Sequence, residues 1–338
     1  MGSRLRGNDD LPLSQRSLKA ALPRFVVALG ALVISLAANA QFPSRPIHIL
    51  VTIPPGGAPD IVARVIAEKL SPALGQPVVV DNKPAANGNA AAAEVARAGA
   101  DGHTLLLAAD SLITINPHVY SNMPLDTLKD LTPIASLVSN QFVLSINPAL
   151  PPRTFPEFIE YAKKANPPLA YASGGNGSQH QLTMEMLKAR AGIDLVHVPY
   201  RGGAPATAAT MAGEVAAMFS GTASAPQIKA GRLRALAVAG AKRSPTFPEL
   251  PTIGEFYPGF ENSIWLGLFG PAGMPEDVLE RLRSEVRRAL EAPDVKASLL
   301  GKGSLETLIL SPAEFTALIH RDYERFGKLI RGLGIKAD

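Results

Sequence analysis

Short β-branched runs alternate with helix-length apolar stripes, and this alternation constrains the fold more than any other feature of the chain. Ile47 to Ile53 is one such run, closing at Pro54-Pro55-Gly56-Gly57. Ile61, Val62, Val65, Ile66 and Leu70 follow at the spacing of a single helix face, and the stripe stops near Gly75. Val78-Val79-Val80 predicts a second strand, and an Asn/Pro/Gly turn then leads into an Ala-rich helix ending about Ala98. Thr104 to Ala108 predicts a third strand. A βαβαβ succession specifies a parallel sheet covered by helices. The pattern then restarts, with strands predicted at Phe142–Ile146, Leu169–Ala172, Val196–Val198, Val215–Phe219 and Leu233–Val238. A helix over Phe155–Ala165 and Gly-rich junctions separate them. After Trp265–Phe269 come Pro271 and Gly273, then amphipathic helices to the end.

Composition narrows the function. With 338 residues, 46% of them hydrophobic, the chain is long enough for two domains. It has no cysteine, so structural disulfides, thiolate metal sites and a Cys nucleophile are excluded. The net charge of +4 is concentrated at the start: residues 1–40 hold five basic and two acidic side chains, leaving 28 against 27 in the rest. That near-neutral balance gives no nucleic-acid footprint. Together with the chain length it points to a monomer.

Arg16, Lys19 and Arg24 precede a 14-residue apolar run from Phe25 to Ala38, which ends in Ala38-Asn39-Ala40. The run is shorter than the ~20 residues of a membrane span. A positive segment, a short apolar segment and a small-x-small site read as a secretory signal peptide cut after Ala40, hence an exported protein. No cysteine follows to carry a lipid anchor.

Three strand-to-helix junctions are rich in glycine and nearly uncharged: Pro54 to Asp60, Ser173 to Gln179 and Tyr200 to Pro205. In a parallel sheet such junctions lie at the carboxyl ends of strands, where crevices form. The first turn of each following helix offers unpaired N–H groups and a positive dipole end, and glycine admits a ligand close to that backbone. Junctions of this kind hold an anion without Lys or Arg; they also occur as ordinary turns. Asp60 caps its helix, holds the loop or accepts from a ligand. His180 either donates to a carboxylate or faces solvent at a helix start. His197, between two valines of a strand, reads as a hydrogen-bonded structural histidine, and Trp265 reads as packing. Arg201 is the one cation of the three loops. No phosphate loop, nucleophile elbow, dinucleotide fingerprint or zinc-ligand spacing is present, so nothing calls for a cofactor or a metal, and no catalytic residue is assigned.

Several ordered blocks carry a family resemblance: Phe42-Pro43-Ser44-Arg45-Pro46-Ile47; Pro55-Gly56-Gly57 with Asp60, Ala63 and Arg64; and Leu74 to Pro84. Asp101 to Leu106, His197 to Pro205, Lys229 to Val238 and Pro271-Ala272-Gly273 complete the set. Across nearly all of 42–336 the chain resembles the Bug family of periplasmic solute receptors, the substrate-binding subunits of tripartite tricarboxylate transporters. The resemblance implies a two-lobed α/β periplasmic binding protein of type II, with two mostly parallel sheets and a hinge. Its lobes would be 41–141 plus 264–338, and 142–263. It implies a small organic carboxylate as ligand, either a di- or tricarboxylate, an acidic amino acid or an aromatic acid. Membrane permease subunits are the implied partner; a membrane sensor kinase, or a periplasmic enzyme using His180 or Asp60 as base, are the alternatives. Carried over to this chain, the ligand residues are Pro55, Gly56, Gly57, Asp60, Ser173, Gly175, Gly177 and Ser178, and the candidate set is completed by Gly88, Ser111, His180, Tyr200, Arg201 and Thr222. The chain departs from the family pattern at Ile53, Ala85-Ala86-Asn87, His180, Ala209 and Ser220-Gly221-Thr222, so the ligand itself is not inherited.

Overall fold

The computed structural model describes residues 42–84, 88–303 and 305–336. The expected signal peptide and the Ala85-Ala86-Asn87 turn lie outside them. From Arg45 onward the chain packs as one unit.

The first half runs β1 (Ile47–Val51), α1 (Ala58–Leu74), β2 (Val78–Asn82), α2 (Asn89–Ala96) and β3 (Thr104–Ala109). Helix α1 starts after Gly57 with Pro59 in its first turn, buries Val62, Val65, Ile66 and Leu70, and ends at Gly75 in the left-handed region. β1 pairs in parallel with β2 and with β3, as the alternation predicts. Two short helices that the apolar pattern does not announce follow β3: α3 (Asp110–Thr114) and α4 (Asn116–Val119).

The next element departs most from the sequence reading. β4 spans Leu131–Ile146, 16 residues, where only its last five were expected as a strand. Residues Leu131 to Gln141 pair antiparallel with a late strand, and Phe142 to Ile146 pair with strands of a second sheet. Pro133 is accommodated because the ladder shifts register between Pro133 and Ala135, where a missing N–H costs no bond.

Then come α5 (Phe155–Lys164), β5 (Leu169–Ser173), α6 (Gln179–Ala191), β6 (Leu195–Pro199), α7 (Gly203–Ala212), β7 (Ala217–Gly221), α8 (Ala225–Lys229) and β8 (Arg234–Val238). In this second sheet β6, β5 and β7 are parallel, and β4 lies antiparallel between β7 and β8. The chain returns at β9 (Ser263–Pro271), which is antiparallel to both β3 and β4. It finishes with α9 (Glu276–Glu291), α10 (Pro293–Gly303), the short β10 (Glu306–Thr307) on β4, and α11 (Pro312–Leu333).

Each sheet has its own core. Leu50, Leu106, Trp265, Phe269 and Phe315 pack in the first, and Phe142, Phe155, Phe158, Tyr171 and Phe219 in the second. β4 therefore passes from one sheet to the other between Gln141 and Phe142, and Gln141 stands opposite Ser263 of the returning strand.

Candidate functional site

A cavity of about 310 Å³ opens where the two sheets meet. On the first-sheet side it is walled by Ser111, Ile115, Asn116, Val119 and Tyr120, from α3, α4 and the residue after them. On the other side stand Gly174 and Asn176 to His180 of the β5–α6 junction, and Gly202 and Gly203 of the β6–α7 junction. Phe142 and Ile264, one on each crossing strand, close it.

No Lys, Arg, Asp or Glu lines this wall among the described residues. Its polarity comes from hydroxyls, amides and the amino ends of α6 and α7. Ser178 caps α6 by accepting from the Gln181 N–H, while the Gln181 side chain accepts from the Gly177 N–H. The remaining first-turn N–H groups of both helices, with their positive dipole ends, are presented at the cavity. Their two helices are 13 and 10 residues long.

His180 sits between the two glycine junctions. A Cβ on Gly174 would stand 3.1 Å from its Nδ1, and one on Gly203 3.4 Å from its Nε2. Its ring meets Phe142 edge-on at 5.2 Å between centroids. Burial brings its pKa down to about 4, so the imidazole is neutral at physiological pH and offers one N–H.

The junction is held from behind. Ser173 Oγ lies 2.6 Å from His197 Nε2 and accepts from the Gly175 N–H. His197 stacks on Tyr171, and burial lowers its pKa too, in keeping with a structural histidine. Below the wall, the Gln179 amide donates to Asp110, tying the start of α6 to the start of α3. Asp110 also accepts from the Ser111 N–H at 2.8 Å. Burial, with Asp322 nearby, pushes its carboxyl up to about 8.

Of the candidate ligand residues, Ser111, Gly177, Ser178 and His180 line the cavity. The others lie outside this lining. Asp60 is buried, and its carboxylate accepts from the Gly56 N–H, from Arg64 and from Asn82. The Arg64 guanidinium holds its pKa down to about 2. It therefore holds the first loop, and Pro55, Gly56 and Gly57 are not among the residues that line this cavity. Ser173 and Gly175 are occupied with each other and with His197. Gly88, at φ +86°, lets the chain pass Leu112 and Thr52, which a Cβ would strike. Tyr200 turns its hydroxyl to Glu214 at 3.3 Å, and Arg201 is exposed away from the wall. Thr222 is buried and donates to Asn140 Oδ1 at 2.6 Å. Trp265 packs, donating from Nε1 to Asp322 at 2.9 Å.

Sequence reasoning missed Asn116, Tyr120, Phe142 and Ile264. The first two follow β3 on helices too short to show periodicity; an Asn-Pro step at 116–117, a frequent helix start, was the available signal. Phe142 and Ile264 read as ordinary strand hydrophobes. Among the described residues, no group of three His, Asp or Glu could hold a metal ion, and no helix is long and apolar enough to cross a membrane.

Two mixed sheets, each with a parallel portion followed by antiparallel strands and not mostly parallel as expected, are joined by a strand that enters both and enclose a cavity at helix amino ends; they define a two-lobed α/β solute-binding protein of the type II periplasmic kind. The chain belongs to the tripartite tricarboxylate transporter receptor family, whose model matches residues 62–335. Among its relatives is the protein BugT of Bordetella pertussis, 33% identical over 298 residues, 87% of this chain and 91% of that one. Two solved structures from Rhodopseudomonas palustris match as well. The adipate-bound Rpa4515 protein is 32% identical with a TM-score of 0.74, covering 88% of this chain and all but 1% of the other, at 99%. The malate-bound MatC protein is 30% identical with a TM-score of 0.69, covering 86% and 100%. The chain is accordingly a solute-binding receptor and not an enzyme.

Proposed function

We propose that this receptor is exported to the periplasm, its leader cut after Ala40, and captures a small organic carboxylate in the cavity between its sheets for delivery to the membrane subunits of a tripartite tricarboxylate-type transporter. The observation that carries the reading is the chemistry of the wall: two helix amino ends and a neutral His180 converge where no side chain carries a formal charge. A carboxylate there gains charge-assisted hydrogen bonds of about 1.5–3 kcal/mol each without displacing a built-in counter-ion. The volume of about 310 Å³ suits a small acid. Adipate and malate, bound by the two R. palustris relatives, are both linear diacids, which favours a diacid within the class.

The lobes in this reading are residues 41–141 with 264–338, and 142–263, closing about the Gln141–Phe142 and Ser263–Ile264 crossings. Calorimetric titration of residues 41–338, unfolded and refolded to strip any bound solute, tests it. Succinate, malate, adipate, citrate, aspartate, glutamate, terephthalate and nicotinate form the panel, with the matching amides as controls. One acid is expected to bind near micromolar, about −8 kcal/mol, and its amide far more weakly. Equal binding of the amide refutes the anion-site reading. The mass of the protein recovered from a periplasmic extract checks the cleavage.

A further inference from the structure

The two crossing strands have a second face. On β4 and β9 successive side chains point to opposite sides. Phe142 and Ile264 line the front cavity, while Gln141, Ser263 and Trp265 line a second cavity of about 360 Å³ behind the crossing. We propose that this rear cavity is a ligand site in its own right, for a small zwitterion of the α-amino-acid type.

The strand side of its wall carries Glu306 and Gln141, and the α11 side carries Arg321 and Arg325 with the buried carboxylate of Asp322 between them. β10 pairs with β4 so that Glu306 stands beside Ser139, and Gln141 lies two residues further along the same face. Gln141 is 8% exposed, yet its Oε1 has no hydrogen-bond partner among the described residues. Among the described residues Glu306 accepts only a long bond, 3.4 Å, from Ser244, and burial raises its pKa. The strand side is thus an acceptor side short of donors. Arg321 and Arg325 stand one turn apart on α11 at the opposite side. Arg325 gives its two terminal nitrogens to Glu261 O, Asn262 Oδ1 and Asp322 while its Nε is buried without a partner among the described residues, and Arg321 reaches Glu261 and Asp322 only at 3.9 and 3.6 Å. Lys242 adds a cation with no ion pair among the described residues. A buried acceptor and a buried donor left unmade each cost about 1–3 kcal/mol. A molecule with an ammonium at one end and a carboxylate at the other meets both needs, and its apolar part lies against Trp265, Leu308 and Leu318.

The inference stands independently of the carboxylate reading, and the experiment separates them. Trp265 is the chain's single tryptophan and lies in the rear wall, so its emission reports on this cavity. L-amino acids with neutral side chains, from alanine to phenylalanine, are titrated into the full mature chain by calorimetry and by Trp265 emission. The tightest is compared with its amide, which keeps only the ammonium, and with its desamino acid, which keeps only the carboxylate. Both are expected to bind at least about tenfold more weakly. Arg321→Met and Glu306→Gln, at partly exposed positions, are each expected to weaken binding about tenfold. Gly203→Leu fills the front cavity and is expected to leave amino-acid binding detectable while removing that of any front ligand. No binding across the panel overturns the proposal. So does binding that survives both wall variants, or that disappears in Gly203→Leu.

Discussion

His180 is held neutral at the seam of the two glycine junctions, and its protonation is therefore linked to folding. Burial takes the imidazole from its usual 6.5 to about 4. The folded state disfavours the charged form, so this contribution to stability is full above pH 6.5 and is lost as pH falls through about 4. At about 1.4 kcal/mol per pH unit the whole shift, from 6.5 to about 4, caps the loss at about 3.5 kcal/mol. One edge of the ring faces the cavity, where solvent screens it, so about 2 kcal/mol is the expected share. Urea unfolding at pH 7 and pH 4.5, compared between the native chain and His180→Gln, isolates this share from the carboxylates that both proteins titrate alike. The native chain is expected to lose about 2 kcal/mol more than the variant over that interval. The same group predicts proton uptake on binding. A carboxylate beside the ring favours the imidazolium, so calorimetry at pH 5 in two buffers of different ionisation enthalpy shows uptake in the native chain and none in His180→Gln. Equal pH dependence of stability in both proteins, or buffer-independent binding heat in the native chain, refutes the reasoning.

Other perturbations test the frame. Asp60→Ala leaves the Gly56 N–H and Arg64 without their acceptor and is expected to cost about 2–3 kcal/mol in urea unfolding at pH 7. Because its pKa is depressed from 3.8 to about 2, that difference is expected to shrink as pH falls through this window, and a constant difference counts against the ion pair. Gly203→Leu, at a backbone angle open to any residue, directs a side chain at His180 and is expected to lower carboxylate affinity at least about tenfold with little change in urea midpoint. Phe219→Ala, fully buried in the core of the second sheet, is expected to cost about 3–5 kcal/mol.

The strands were legible because parallel strands buried on both faces must be apolar runs, and Ile47–Val51, Thr104–Ala109 and Leu169–Ser173 are such runs. Leu131 to Gln141 was not legible. It carries Pro133, two serines, Asn140 and Gln141, since it is bulged and alternates between packing and polar contacts. The site followed the same division. The second and third glycine junctions do reach the cavity, because helix amino ends at strand carboxyl ends converge in any parallel sheet. The first does not: Asp60 draws it into bonds with Arg64 and Asn82, a tertiary arrangement that spacing alone does not encode. Asn116 and Tyr120 come from or next to short helices the apolar pattern does not show, while Phe142 and Ile264 sit in strands whose apolar residues read as core, so of the opposite wall only Ser111 was singled out.

The pairing of Gln141 with Ser263 also sets an order of events during synthesis. Everything between these two residues is one continuous stretch whose strand pairings, β4 with β7 and β8 and β5 with β6, form without waiting for later chain. The sheet that begins at β1 is in the reverse situation. β3 and the first part of β4 emerge early but have no common neighbour until β9 is made, more than a hundred residues downstream. Contacts of such separation carry the largest loop-closure cost and form late. β1, β2 and β3 can pair with one another as soon as they emerge, but β3 keeps an open edge until β9 arrives from beyond the middle of the chain.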